Sequence, residues 1–189
     1  DLLASMAKSS VYARKVYQPK AGSRHIIICG DLSSTALSAL FEELFHEDHN
    51  NHNLYAVILH SNRRTAELNA LLKTRKFESR VIYLEGTVLS DRDLRRACAE
   101  EACAVLMFTN KFTIIPDRDD AKTILQHHNM KRYIEQRKGY EHVNYQVTFC
   151  VQLVRPENQR HFASGGHISV ECATEHVICL NEIKMGIIA

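Results

Sequence analysis

A short run of apolar residues near the start of the chain most constrains its fold. Residues 25–30 read HIIICG, so they are almost entirely apolar, are rich in β-branched side chains and end in glycine. A strand with one face in water alternates apolar and polar residues, whereas this run has no polar face. It therefore predicts a strand buried on both sides, which is typical of a parallel sheet covered by helices.

Helix and strand patterns then alternate along the chain. Helices are predicted at 36–45, at 65–74, at 91–98, and from Pro116 to Arg132. Further strands are predicted at 54–60, 80–84, 104–108 and 143–154. Ser90 with Asp93 three residues later approximates a capping box at the start of the third helix. This alternation predicts an α/β fold, a Rossmann-like doubly wound parallel sheet over about 25–155.

The two ends of the chain differ from this core. Residues 1–24 carry five basic side chains against Asp1, a net charge of +4, and are interpreted as a linker or arm. Residues 156–189 are interpreted as a connecting segment followed by a helix over 175–189, whose apolar residues leave little polar face. Because such a helix needs a partner to cover it, we expect the sequence to be a piece of a longer polypeptide.

Composition excludes several classes of protein. Lys and Arg number 24 against 22 Asp and Glu, and a formal charge of +2 gives no general attraction to nucleic acid. The longest apolar runs are far shorter than the ~20 residues that span a bilayer, and no signal-peptide pattern opens the sequence. The six cysteines include no C-x-x-C pair, which predicts reduced, buried thiols in a cytosolic protein.

No pattern for a nucleotide cofactor or for catalysis is complete. Gly30 follows the first strand, but Leu32 and Thr35 stand where a dinucleotide fingerprint needs its second and third glycines. We therefore expect no bound NAD. Cys29 and Cys150 lie within predicted strands and are interpreted as packing residues rather than nucleophiles, so an enzyme is not expected.

Histidines are concentrated in two places. The polar loop after the first helix contains His46, His49 and His52 among acidic and amide side chains. Its oxygens suit calcium, its imidazoles suit zinc, and a solvated loop without a metal is the third interpretation. His127 and His128 lie together on the fourth helix, with no carboxylate at metal-binding spacing, and are interpreted as its polar face.

Four segments carry a specific pattern in order along the chain, at 24–30, 81–94, 104–112 and 177–186. Together with the basic stretch at 11–15, they resemble the Slo family of ligand-gated potassium channels, and in particular the first of their two cytosolic RCK domains. The resemblance implies a Rossmann-like N-terminal lobe and the start of a crossover helix, with the second lobe truncated. It also explains a nucleotide fold that lacks its nucleotide fingerprint.

The resemblance implies a function as a gating-ring domain. Such a domain lies on the cytosolic face of a membrane as part of an integral membrane channel, and it converts the binding of an intracellular ion into pore opening. The implied partners are a second RCK domain and the neighbouring subunits of a tetrameric gating ring. Residues 1–24 would join the domain to the pore, and no nucleic acid is expected.

The activating ion implied by the resemblance is calcium. Sodium is the alternative, because residues 80–84 and 151–158 resemble sodium-activated members of the family. The two glutamates of a low-affinity magnesium site in the calcium-activated members are matched here by Tyr55 and Ile82. We therefore expect no magnesium sensing at that place.

The resemblance also implies which side chains bind the ion. Asp48 is the implied calcium ligand, with Glu43 supporting it at the family's other acidic position. Glu175 is the candidate for a second ligand carboxylate, just before the crossover helix. His46 is the implied proton sensor, whose positive charge would pair with Asp48 as the ion does.

Overall fold

A computed structural model describes residues 11–138, 147–163 and 173–181 of the chain. Its strands are β1 (Arg24–Gly30), β2 (Leu54–His60), β3 (Val81–Glu85), β4 (Ala104–Phe108), β5 (Val147–Leu153) and β6 (Ala173–Cys179). Its helices are α1 (Val11–Arg14), α2 (Ser34–Leu44), α3 (Ala66–Leu72), α4 (Asp91–Arg96), α5 (Pro116–Lys138) and α6 (Arg160–Ala163). Short 3-10 turns lie at Glu47–His49, Ala99–Glu101 and Pro156–Gln159. Within these ranges, no helix combines the length and the apolar character that crossing a membrane requires.

The strands form one parallel sheet in the order β3-β2-β1-β4-β5-β6. The register places Ile28 of β1 beside Ile58 on one side and beside Leu106 on the other. The chain thus moves outward through β2 and β3, then returns to place β4 against β1. This is the strand order of the Rossmann fold, and the predicted α/β fold is confirmed.

Two apolar cores lie on opposite faces of the sheet. Successive residues of a strand point to opposite faces, so Ile26 and Ile28 enter the core under α2 and α3, whereas Ile27 and Cys29 enter the core under α4 and α5. Both faces of β1 are therefore buried, as its apolar sequence predicts. On the α2 side, alternate residues of β4 and β5 are only half-buried, because α2 and α3 cover the other half of the sheet.

Most predicted elements agree closely with the structure. The predictions at 54–60 and 104–108 match β2 and β4 in full. Ser90 caps α4 as predicted, since its hydroxyl accepts a hydrogen bond of 3.4 Å from the backbone N–H of Asp93. The strand predicted at 143–154 is β5, and residues 143–146 lie outside the described ranges.

The prediction of a helix from residue 175 is wrong for residues 175–179, whereas residues 180–181 are helical as predicted. Residues 173–179 form β6, which pairs in parallel with β5 along its length. Val177 and Cys179 turn toward the core while Ile178, between them, is 48% exposed. The start of the apolar run, at 177–179, is therefore part of a strand at the edge of the described sheet, which extends into the segment interpreted as a connection at 156–189. Residues 182–189 lie outside the described ranges.

A buried carboxylate fixes α5 to the end of β5. Asp120 is fully buried and accepts hydrogen bonds from the backbone N–H groups of Val154 (2.9 Å) and Arg155 (3.0 Å) and from Asn158 Nδ2 (2.9 Å). Charge-assisted bonds of this kind are stronger than neutral ones. They hold the start of α5 against the residues that follow β5, at the carboxyl end of the sheet.

We expect the substitution Asp120→Ala to destabilise the fold by about 2–4 kcal/mol, because it leaves buried donors without an acceptor. Urea unfolding followed by circular dichroism measures this loss. The matched control is Asp117→Ala on the same helix, which removes only an exposed ion pair with Arg155 and should cost less than about 1 kcal/mol. Equal losses in the two variants would contradict the assignment.

Candidate functional site

The implied ion ligands are Glu43, in the last turn of α2, and Asp48, in the exposed turn that follows it. We call residues 43–53 the ion loop. Asp48 Oδ2 lies 3.3 Å from Nδ1 of His46. Glu43 Oε1 lies 2.9 Å from Nε2 of His49. The backbone N–H of Asp48 donates to His46 Nδ1 at 3.4 Å, so this imidazole also caps the 3-10 turn of the loop. Each implied ligand carboxylate therefore faces an imidazole.

Hydrogen bonds from the Asn51 and Arg80 side chains hold the backbone of the ion loop in place. Asn51 Nδ2 donates to the carbonyl of Leu44 at 3.2 Å. The Arg80 guanidinium donates to the carbonyls of Asn51 and Leu54 and lies 4.1 Å above the centre of the Phe45 ring. Burial lowers the pKa of Arg80. The loop thus presents exposed carboxylates on an anchored backbone.

The ion loop carries side chains of the chemistry that a metal site needs. Calcium takes six to eight oxygen ligands, and Asp48 and Glu43 supply carboxylates of the right chemistry. Within the described ranges, however, no three side chains of His, Cys, Asp or Glu lie close enough together to hold a metal. The zinc interpretation gains no support, because His46 and His49 face carboxylates and their ring centres are 6.2 Å apart.

Glu175 lies far from the ion loop. It sits on β6 opposite Phe149 of β5, and its Oε1 atom lies 2.7 Å from Lys131 Nζ and 3.4 Å from His127 Nε2. Four strand spacings, roughly 19 Å, separate β6 from β2. The structure therefore does not bring Glu175 together with Asp48, and the contacts of Glu175 attach β6 to α5.

The interpretation of His127 as part of a polar helix face is wrong, although the neighbouring His128 is exposed. His127 is 1% exposed, and its ring centre lies 4.9 Å from that of Phe149 and 4.8 Å from that of Phe162. Burial lowers its pKa to about 4, although the nearby Glu175 carboxylate raises it. This carboxylate partner could not be recognised from sequence spacing, because Glu175 comes from a distant strand.

The predicted arm is clamped to the core by one arginine. Arg96, at the end of α4, is 7% exposed. Its guanidinium donates to the backbone carbonyls of Tyr12 (2.7 Å) and Lys15 (3.0 Å) in the arm. The same group donates to the carbonyl of Glu85 (3.0 Å) and to Asp93 Oδ1 (2.8 Å) in the core. One planar side chain therefore ties residues of the arm to β3 and α4.

Aromatic contacts support this clamp. The Tyr12 ring lies 3.7 Å from the guanidinium carbon of Arg64 and 6.1 Å, edge to face, from the Tyr83 ring. Tyr17 is buried against the ring of His25, with centres 4.7 Å apart. Burial raises the pKa of Tyr17 and lowers the pKa of His25. The described part of the predicted linker is thus packed onto the domain.

The turn after β1 is built for a close backbone contact. Gly30 has φ +100°, and a Cβ atom there would lie 2.0 Å from the carbonyl oxygen of Phe108. Ser33 Oγ accepts from the N–H of Ala36 at 3.2 Å and so caps α2, where a dinucleotide would place its pyrophosphate.

A crevice of about 240 Å³ opens at the carboxyl ends of β1 to β4. We name it the switch-point crevice.

Four of the described cysteines are free thiols, namely Cys29, Cys98, Cys103 and Cys150. Burial raises the pKa of Cys29 to about 12 and also raises that of Cys150. A protonated thiol is a poor nucleophile. Both residues therefore fit the packing roles that their strand positions predict.

Comparison with known proteins gives a family match over most of the chain. Residues 21–164 match the family described as "Calcium-activated potassium channel slowpoke-like RCK domain". The "Calcium-activated potassium channel slowpoke" of Drosophila melanogaster is 30% identical over 168 residues, which are 89% of this chain and 13% of that protein. The chain thus spans about an eighth of the length of this relative.

Solved structures support the fold. "Structure of the human SLO3 gating ring" aligns with a TM-score of 0.63 at 18% identity, over 88% of this chain and 26% of the other. "GsuK channel bound to NAD" aligns with a TM-score of 0.52 at 15% identity, over 96% of this chain and 26% of the other. At these identities the two likenesses concern the fold.

We expect the stability of the chain to fall as the pH decreases from about 6.5 toward 4. The folded chain holds His127 neutral down to a pKa of about 4, through burial beside Glu175, Lys131 and His128. The unfolded chain binds this proton at higher pH, so acid favours unfolding. Between pH 7.5 and pH 5, this residue should account for on the order of 2 kcal/mol.

Urea unfolding at the two pH values measures this dependence, with His127→Leu as the test variant and His128→Leu as its exposed control. The test variant should lose less stability on acidification than the unsubstituted chain, while the control should lose as much. A test variant with the full loss would show that His127 is not the responsible group.

Proposed function

The chain belongs to the calcium-activated potassium channel slowpoke-like RCK domain family, and on that premise we propose that it is a regulatory domain on the cytosolic face of a potassium channel. In this proposal the domain binds an intracellular ion at the ion loop and passes the resulting change through residues 1–24 to the pore. The role is regulatory rather than catalytic. The raised pKa values of the buried thiol of Cys29 and the half-buried thiol of Cys150 agree with this.

The proposed partners are a second RCK domain and the neighbouring subunits of a tetrameric gating ring. Support comes from the fold shared with a chain described as part of a gating ring. The pore domain is the third proposed partner, reached through the arm. The described part of the arm begins at Val11 and enters β1 at Arg24, so the pull of a pore helix would act directly on the sheet.

The observation that carries the proposal is the contact between the ion loop and the arm. Asn53, at the end of the ion loop, accepts a hydrogen bond of 2.9 Å from the backbone N–H of Arg24, where the arm enters β1. Lys20 of the arm lies 5.2 Å from the centre of the Tyr55 ring, just beyond the loop. A change in the loop backbone therefore reaches the arm through one hydrogen bond.

The Arg96 clamp gives the second half of the coupling path. Because Arg96 holds the carbonyls of Tyr12 and Lys15, α4 and the arm move together. A loosely attached linker would absorb a displacement of the domain, whereas a clamped one transmits it. Ion binding then favours the open pore to the extent that the ion binds one arrangement of the ring more tightly than the other.

Calcium is the proposed ion, with Asp48 as its ligand and Glu43 in support. Both are exposed carboxylates of the type that hard cations prefer. Backbone carbonyls and water would complete the shell, since the described side chains supply only part of it. His46 is the proposed proton sensor, because protonation at Nδ1 would let it donate to Asp48 Oδ2, now 3.3 Å away. Glu175 is not included, because it lies on β6 against Lys131.

Sodium is the alternative ion. One observation favours it: the loop carries the carboxylates of Glu43, Glu47 and Asp48, but within the described ranges no three metal-ligating side chains lie close enough together to hold a metal. A monovalent ion needs fewer charged ligands than calcium does. The two ions are distinguished by measuring the opening of the same channel at a series of concentrations of each ion.

We expect Asp48→Asn in the full-length channel to raise the calcium concentration for half-maximal opening by about tenfold, because ligand charge sets calcium affinity. Current recordings from excised patches at a series of calcium concentrations measure this shift. The matched control is Glu78→Gln, an exposed carboxylate outside the ion loop, which should leave the curve unchanged.

An unchanged calcium response in Asp48→Asn would remove this residue from the ion site. A channel that ignores calcium but opens with sodium, in an Asp48-dependent manner, would establish the alternative ion. A response to neither ion would contradict the proposed sensing role of the loop.

We expect Arg96→Lys to separate ion binding from opening. Lysine keeps the charge but lacks the planar fork that reaches the four acceptors of Arg96. Calcium binding, measured by radioactive calcium on the purified channel, should change less than twofold. The maximal open probability in patch recordings should fall several-fold.

The control for this variant is Arg95→Lys, at the exposed neighbouring position. Size-exclusion chromatography shows whether each variant still assembles, since a folding defect would lower assembly and binding together. Normal opening in assembled Arg96→Lys channels would show that the clamp is only structural.

A further inference from the structure

Polar side chains from several elements meet at the switch-point crevice. Asp31 follows β1, His60 ends β2 and Thr109 follows β4, while Asp119 and Lys122 come from α5. Open α/β sheets bind small molecules at this place, outside the carboxyl ends of their strands. The crevice volume of about 240 Å³ lies just below the roughly 300–1,000 Å³ of drug-sized ligand sites. It therefore suits a smaller molecule.

The walls of the crevice are already fixed by hydrogen bonds. The N–H of Gly86 donates to the carbonyl of His60 at 2.9 Å, and the N–H of Thr87 donates to Asp93 Oδ2 at 3.0 Å. A Cβ atom at Gly86 would lie 2.7 Å from the carboxyl group of Asp93. A site built in advance loses little free energy to ordering when a ligand binds.

Opposite charges line the crevice without pairing. Neither the carboxylate of Asp31 nor the ammonium of Lys122 forms an ion pair or a hydrogen bond with the described residues. Both act on His60, whose pKa is lowered mainly by burial, raised by Asp31 and lowered by Lys122. The hydroxyl of Thr109 is buried beside them and has no hydrogen-bond partner in the described chain. The described residues thus supply no partner for the side chains of Asp31, Lys122 and Thr109, and a ligand with complementary groups could pair with them.

The charged side chains of the switch-point crevice disfavour a ligand with several negative charges and favour one that carries both a negative and a positive group. Asp31 and Asp119 place two carboxylates on the crevice against the one ammonium of Lys122, so the two phosphates of a dinucleotide would meet net repulsion. The start of α2, where a pyrophosphate binds in other Rossmann folds, is capped by Ser33. A molecule with one anionic and one cationic group matches Lys122 and Asp31 together.

We propose that the switch-point crevice binds a small zwitterion of the α-amino acid class, with its carboxylate on Lys122 and its ammonium on Asp31. His60 and Thr109 then face the ligand's side chain, which favours one with a hydroxyl or amide group. This site is separate from the ion loop, which lies at the opposite ends of the strands. It does not depend on the proposed channel function, because binding is measured directly on the chain.

Isothermal titration calorimetry of the purified full chain with L-serine and L-glutamine tests the proposal. Acetate, ethylammonium and NAD serve as probes with only an anion, only a cation and a dinucleotide. We expect saturable binding of at least one amino acid and none of acetate or ethylammonium. Lys122→Gln and Asp31→Asn should each weaken it about tenfold, as the loss of one charge-assisted hydrogen bond predicts.

The matched control is Lys111→Gln, an exposed lysine beside Phe112 and outside the crevice, which should bind as the unsubstituted chain does. Circular dichroism shows that each variant is folded. The proposal is overturned if neither amino acid binds, if both crevice variants bind as tightly as the unsubstituted chain, or if NAD binds and is displaced by neither amino acid.

Discussion

The close approach of β1 to β4 at Gly30 is the contact on which the rest of the structure depends. The N–H of Asp31 donates to the carbonyl oxygen of Phe108 at 2.8 Å, and only a residue without a Cβ fits there with φ +100°. This contact keeps β4 beside β1 as the two strands end. Because α2 and α5 leave these strands on opposite faces, the switch-point crevice opens above the contact. The ion loop and the end of the arm, where it enters β1, lie at the other ends of the strands.

Asp93 links the two functional regions of the carboxyl edge. Its Oδ2 atom accepts from Thr87, which lines the crevice, while its Oδ1 atom accepts from Arg96, which clamps the arm. The half-buried carboxylate thus receives charge-assisted bonds on both oxygens. A displacement of the β3 end is carried to the arm through one side chain and two hydrogen bonds. Arm position and crevice shape are therefore mechanically related.

The elements that could be predicted are those whose signal is local. β2 and β4 have uninterrupted apolar runs between turns, and Ser90 with Asp93 marks the start of α4. The sequence misled where the environment is supplied from a distance. His127 is buried because Glu175 and Phe149 come from other strands, although its helical spacing to a buried residue, Met130, was a usable signal. The Arg96 clamp joins groups that are 81 and 84 residues apart in sequence, and no local sequence pattern predicts it.

The same distinction separates the implied ion ligands. Glu43 and Asp48 are close in sequence, at the end of α2 and in the turn that follows it, whereas Glu175 depends on the position of β6. Exposed carboxylates act on the rest of a protein only if the backbone beneath them is stiff. Here Arg80 holds the carbonyls of the loop, and the loop ends in a hydrogen bond to the first residue of β1. A change of charge at the loop is therefore passed to the sheet and the arm instead of being absorbed by loop motion.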